Sequence, residues 1–227
     1  MPATSTGLDR LRGQRGTALL CTLMVTTLLG MLGGALVLLV TTESMISANQ
    51  RAAQQALYAA DAGIERAIAG LRTLPDWRGV PGTGGEPAMA DFFDGALAPR
   101  LGDGTILDLA RLTAGRQAES DAVYGVSANR PVWQLLAHAP LGRLTGGSPP
   151  AAYVIVWIAD DVDEADGDPL HDSNGVLMLR AEAFGLRGAR RRVEASLARE
   201  PQADGTADSS GEPVMRTEVR MISWRVP

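Results

Sequence analysis

The sequence predicts an α+β chain in which one long N-terminal α-helix packs on an antiparallel β-sheet. Three features predict it. An uncharged apolar run lies near the N-terminus. Helix-forming residues with a one-sided apolar stripe carry on from it. Later in the chain come successive β-branched and aromatic runs joined by short turns. At 227 residues there is room for one or two small domains. A net charge of −5 gives the bulk surface no attraction for nucleic acid, so none is expected as a partner. The single cysteine, Cys21, excludes an internal disulfide. It lies inside the apolar run, which leaves no zinc site to build around it.

Residues 1–16 form a basic leader, in which Arg10, Arg12 and Arg15 are opposed only by Asp9. Residues 17–40 then carry no charge. As a helix at ~1.5 Å per residue they span roughly 36 Å, enough for a bilayer core. The basic flank is expected on the cytoplasmic side and the remainder outside. Three readings of this start compete. A cleaved secretory signal would want a shorter apolar core and a small-residue cleavage site, where Thr41, Thr42, Glu43 and Ser44 stand. A plain signal anchor fits the hydropathy equally well. The third reading rests on the junction Arg15-Gly16-Thr17-Ala18-Leu19-Leu20: cleavage after Gly16 would leave the apolar run on the mature protein with Thr17 at its N-terminus.

Residues 41–74 turn polar but stay rich in Ala, Gln, Leu, Glu and Arg, all strong helix formers. Leu57, Ile64, Ile68 and Leu71 fall on one stripe, flanked by Ala53, Ala60 and Ala67, while Asp61 and Glu65 share another face. The helix is expected to end near Leu74, because Pro75 disfavours helical geometry before it. Residues 17–74 would then be one helix of roughly 85 Å, apolar all round in its first half and amphipathic in its second. The amphipathic half predicts a globular partner in its own chain. Gly30, Gly33 and Gly34 in the apolar half allow close helix packing or local melting.

The stretch Gln54 to Ala67, and within it Ala59-Ala60-Asp61-Ala62-Gly63-Ile64-Glu65, resembles the hallmark of the PilX N-terminal family of type IV pilus assembly proteins. The Arg15-Gly16 junction and Ala18-Leu19-Leu20 match the same pattern. The resemblance covers residues 12–72. It implies a type IV pilin-like fold and a minor pilin. Prepilin peptidase would cut it after Gly16, its new N-terminus would be methylated, and it would join other minor and major pilins at low copy. The implied place is the bacterial inner membrane, single-pass with a periplasmic domain, and the pilus after assembly. In this family reading, residues 17–40, with Leu19, Leu20 and Cys21 at the start, double as the polymerisation helix. Major pilins usually carry Glu at the fifth mature position, where this chain has Cys21. A buried carboxylate in a helical bundle is tolerable only when paired, and here no such pair can form. That departure points away from the repeating body of a filament and toward its tip. It is shared with the tip pseudopilin of type II secretion, which stays open as an alternative. A membrane-anchored periplasmic binding module is the third.

Residues 75–227 are expected to be the globular domain. Pro75 to Gly104 is rich in Gly, Pro and Asp and reads as irregular, with a short helix over residues 90–97. Strands are expected over 105–109, 132–138, 152–159, 176–184, 189–199 and 214–226. Residues 146–150 make a turn or linker, residues 185–188 a hairpin connection, and residues 201–213 a polar loop. Short turns between consecutive strands favour an antiparallel meander.

The most pointed chemistry is the acidic run from Asp160 to Asp172. Counted as an EF-hand from Asp161, its third acid and its Gly come one residue late, and Asp172 stands where Glu belongs. Two readings stand: a non-standard calcium site with Asp161, Asp163, Asp166 and Asp168 as ligands, or a solvated acidic connection closed by a turn at Asn174-Gly175. No other cofactor is expected. The two histidines, His138 and His171, lie in no triad or zinc context, and no enzyme is expected. Arg190, Arg191 and Arg192 read as a strand's solvated face with salt-bridge partners rather than as a DNA patch.

Overall fold

The structure, a computed structural model, describes the backbone of residues 8–83, 89, 91–145, 152–164, 166–207 and 213–227, and the side chains of these except 8–15, 144–145, 201–207 and 213–217. The chain divides into two compact units, residues 1–50 and 51–227. Helix α1 (Leu8–Leu71) runs unbroken through Gly30, Gly33 and Gly34. It starts inside the expected leader and ends three residues before Leu74. After Leu71 the chain tightens into turns, with Thr73 N donating to Gly70 O and Leu74 N to Leu71 O, so the helix is spent before Pro75.

In the first unit the apolar residues of α1 are exposed, Leu19 to 74% and Leu38 to 71%. The helix is long and apolar enough to cross a membrane. Five of its threonine hydroxyls are satisfied within it. Thr22, Thr26, Thr27, Thr41 and Thr42 each donate to a carbonyl three or four residues back. That arrangement suits a helix with no water around it, where every donor must find an internal acceptor.

The second unit is built on a five-stranded antiparallel sheet in the order β1 (Gln134–Pro140), β2 (Ala152–Asp160), β3 (Val176–Gly185), β4 (Arg190–Ala207) and β5 (Pro213–Arg225). It is the expected meander. Around it lie the short helices α2 (Val80–Thr83) and α4 (Gly142–Thr145) and the longer α3 (Leu109–Tyr124). β2 is buried along its whole length because both sheet faces are covered. Val154, Val156 and Ile158 point to one face, where they join Leu179, Ala181, Val193 and Ala195 under Ala56, Ala60, Ile64, Ala67 and Leu71 of α1. Tyr153, Ile155 and Trp157 point to the other, under Leu107, Leu109 and Trp133.

Several elements differ from the expectation. The strand over 105–109 is a single bridge between Arg100 and Ile106, followed at once by α3. Asp108 caps that helix by accepting from Arg111 N, and Gly125, at φ +75°, closes it. Of the short helix expected over 90–97, Asp91 and Phe92 are in 3-10 helix, and Phe93 then bridges to His138. The loop over 201–213 is strand as far as Ala207, since the β4–β5 ladder continues through Glu200–Glu218 to Ala203–Met215. Residues 208–212, like the turn at 146–150 and residues 1–7 of the leader, lie outside the described residues.

Candidate functional site

Four places carry the candidate residues. At the junction, Gly16, Thr17, Leu19, Leu20 and Cys21 all lie within α1 and are exposed, with Cys21 a free thiol.

The second is the segment Ala59 to Glu65, which sits where α1 meets the sheet. Ala59, Ala60, Gly63 and Ile64 are buried, and Asp61 and Ala62 are half-buried. At Gly63 the helix comes so close that an added Cβ would lie 2.6 Å from Val154 Cγ1 and 3.2 Å from Val156 Cγ2. Small residues at 56, 59, 60, 63 and 67 therefore set the helix–sheet spacing. Asp61 accepts from Trp224 Nε1 at 3.0 Å, tying α1 to the end of β5. Glu65 stays exposed.

The third place is the β2–β3 connection. Of the four expected calcium ligands only Asp161 belongs to the group that converges. Its partners are Asp160 and Glu164, with carboxylate oxygens all within 4.8 Å of one another. Asp163 is exposed. Asp166 and Asp168 point their carboxylates into their own turns, accepting from Asp168 N and Leu170 N. Asp160 ends β2, which buries it, and Asp172 lies nearby. Burial first, then the charges of Glu164 and Asp172, push the Asp160 carboxyl up to about 7. Burial also raises Asp172, although the amides of Gly175 and Val176 donate to it. Gly175, at φ +76°, makes the expected turn.

The fourth place joins His138, for which the sequence showed no triad or zinc context, to Asp94 and Tyr153, which were not singled out. His138 is fully buried on the second face of the sheet. Its Nδ1 lies 2.8 Å from Tyr153 Oη and 3.1 Å from Asp94 Oδ1, and Tyr153 donates to Asp94 Oδ2 at 2.7 Å. Phe93 stands edge-on to the imidazole. Burial holds the imidazole below its ordinary value despite Asp94, and with Asp94 raises the Tyr153 phenol. The three residues are distant in sequence, and only β1–β2 pairing and the Phe93 bridge unite them. They clasp the 93–96 segment onto the sheet. Nearby, Glu119 of α3 takes hydrogen bonds from Arg116, Arg180 and Arg192, while Arg190 pairs with Glu182. Arg190 and Arg192 thus have the salt-bridge partners expected of them, whereas Arg191 is exposed and donates to Arg190 O.

Comparison with protein-family models, curated proteins and solved structures gives no match.

Proposed function

We propose that this chain is a minor pilin, a structural protein that sits in the bacterial inner membrane and enters a type IV pilus at low copy near its tip. The observation that carries the reading is the double use of α1. Residues 17–40 of it are uncharged, exposed and internally hydrogen-bonded, and its C-terminal part uses Ala59 to Glu65 to seat on an antiparallel sheet. The first part has no apolar partner among the described residues of its own unit. In the membrane lipid covers it, and in a filament the helices of other pilins would do so. Prepilin peptidase would cut after Gly16 and expose Thr17 for methylation.

Cys21 favours a second reading, a tip pseudopilin of type II secretion, because it too lacks the carboxylate at the fifth mature position. The deciding experiment is mass spectrometry of the N-terminus in sheared pili from the native cell. A chain beginning at methylated Thr17 is expected, and Gly16→Val should leave the leader uncut. A mature protein that still begins at Met1 would sink both filament readings and leave a membrane-anchored binding module. Loss of secretion rather than of pili on deletion would select the pseudopilin.

A further inference from the structure

We propose that the β2–β3 connection binds one calcium ion per chain through the carboxylates of Asp160, Asp161 and Glu164. The three lie within 4.8 Å of one another. Asp160 and Glu164 are 1% and 8% exposed, and Asp172 beside them is 2% exposed. Ionised carboxylates are costly to bury unless something positive or hydrogen-bonding compensates them. Among the described residues no arginine or histidine pairs with any of these acids, and His171 turns instead to Asp166.

The second observation is Glu164 itself. Its Oε1 accepts from Ser173 N and Asn174 N, which fixes the side chain inside the loop. Its Oε2 is sealed from solvent and has no hydrogen-bond partner. A side chain more than nine-tenths buried, one of the three that converge, thus carries an oxygen with no partner. The donor set is oxygen only, which selects a hard cation. Calcium tolerates an irregular loop and takes six to eight oxygens, so peptide carbonyls and water complete the shell. Magnesium demands a near-ideal octahedron that such a loop does not preform. Asp160 accepts from Asp161 N, and Asp161 accepts from Asn174 Nδ2 and Asp163 N, which holds both carboxylates in place with lone pairs left for an ion. Asp172 lies outside the converging group, and its Oδ1 takes the Gly175 and Val176 amides. The inference does not depend on the filament reading.

The test uses the full chain in detergent, stripped with EDTA and titrated with calcium chloride by calorimetry and thermal unfolding. One binding site per chain is expected, with Tm rising by roughly 5 °C at 1 mM calcium and less with magnesium chloride. Glu164→Gln keeps the amide contacts at Oε1 but should weaken calcium at least ~10-fold, since affinity follows ligand charge. Asp168→Asn should bind as the wild type does. If Glu164→Gln does not fold, the partly exposed Asp161→Asn takes its place with the same expected loss. No calcium response in the wild-type chain, or an undiminished response in the charge-removing variant, overturns the proposal.

Discussion

A single methyl group at position 63 would test the helix–sheet contact. Alanine gains about 1 kcal/mol over glycine in a helix interior. Against that, its Cβ would press on Val154, a β-branched side chain held in a buried strand and unable to swing away. Overpacking of this kind costs roughly 1–3 kcal/mol, and here it outweighs the propensity gain. Gly63→Ala should therefore lower stability by about 1 kcal/mol in urea unfolding, and Gly63→Val by more. An unchanged or raised midpoint for Gly63→Ala would show that helix and sheet can separate freely. The residue was legible in the sequence as part of a motif. Its steric role was not, because no local pattern says that Val154 lies opposite. His138 shows the same limit. Its ring is neutral through burial, so its NMR titration midpoint should fall below the ordinary value of 6.5. The stability this burial confers is whole above that pH and declines as pH falls through 6.5 toward the folded value. A midpoint at or above 6.5 would mean that the Asp94 carboxylate outweighs desolvation.

At the scale of elements, periodicity and composition were enough for the sheet. The continuous apolar run of β2 predicts burial on both faces, and β4 alternates, with Val193 and Ala195 under α1 and Arg192 and Glu194 on the opposite face, paired with Glu119 and Arg180. Helix α3 was missed although its signals stand in the chain: Asp108 as cap, a run of helix formers, and Gly125 at the end. The helix has few apolar residues, so no stripe announces it. Its inner face is instead polar and pairs with the sheet. Glu119 is the hub. Burial works against its ionised form, but Arg116, Arg180 and Arg192 outweigh this and hold its carboxyl below the ordinary value of 4.5. Glu119→Gln removes the carboxylate that the buried Arg116 pairs with and leaves it the charge of Glu182, while Arg180 keeps Glu194 at 3.3 Å. Half-exposure of Glu119 moderates the loss, so about 1–3 kcal/mol is expected. Because the folded value lies below the unfolded one, the contribution is complete above about 4.5 and disappears as pH falls through the folded value. The variant should thus be less stable than wild type at neutral pH and converge on it in acid. A constant difference across that range would assign the loss to packing instead of charge.

For the whole molecule, the three readings of the N-terminus differ in what the mature chain retains, and Cys21 is a natural reporter because it is the only thiol. A cleaved secretory signal would be removed together with the apolar run, so the mature protein would contain no thiol. A signal anchor and a prepilin both keep it. Ellman titration of the mature protein in denaturant should therefore give one thiol per chain, and zero would refute every reading in which α1 holds the protein in a membrane or filament. The environment of that thiol carries the argument further. Cys21 is exposed on the helix surface, with no cover from its own unit, so any protection must come from lipid or from another chain. A polar, membrane-impermeant maleimide should leave it unlabelled in intact membranes and label it after the lipid is replaced by denaturant. In sheared filaments no lipid remains. A thiol still protected there must be covered by other subunits, which is the outcome that a pilin helix requires. A thiol labelled at once in lipid-free filaments would mean that this part of α1 is not packed in the filament core, and the polymerisation role assigned to it would fail even if the membrane anchor stands.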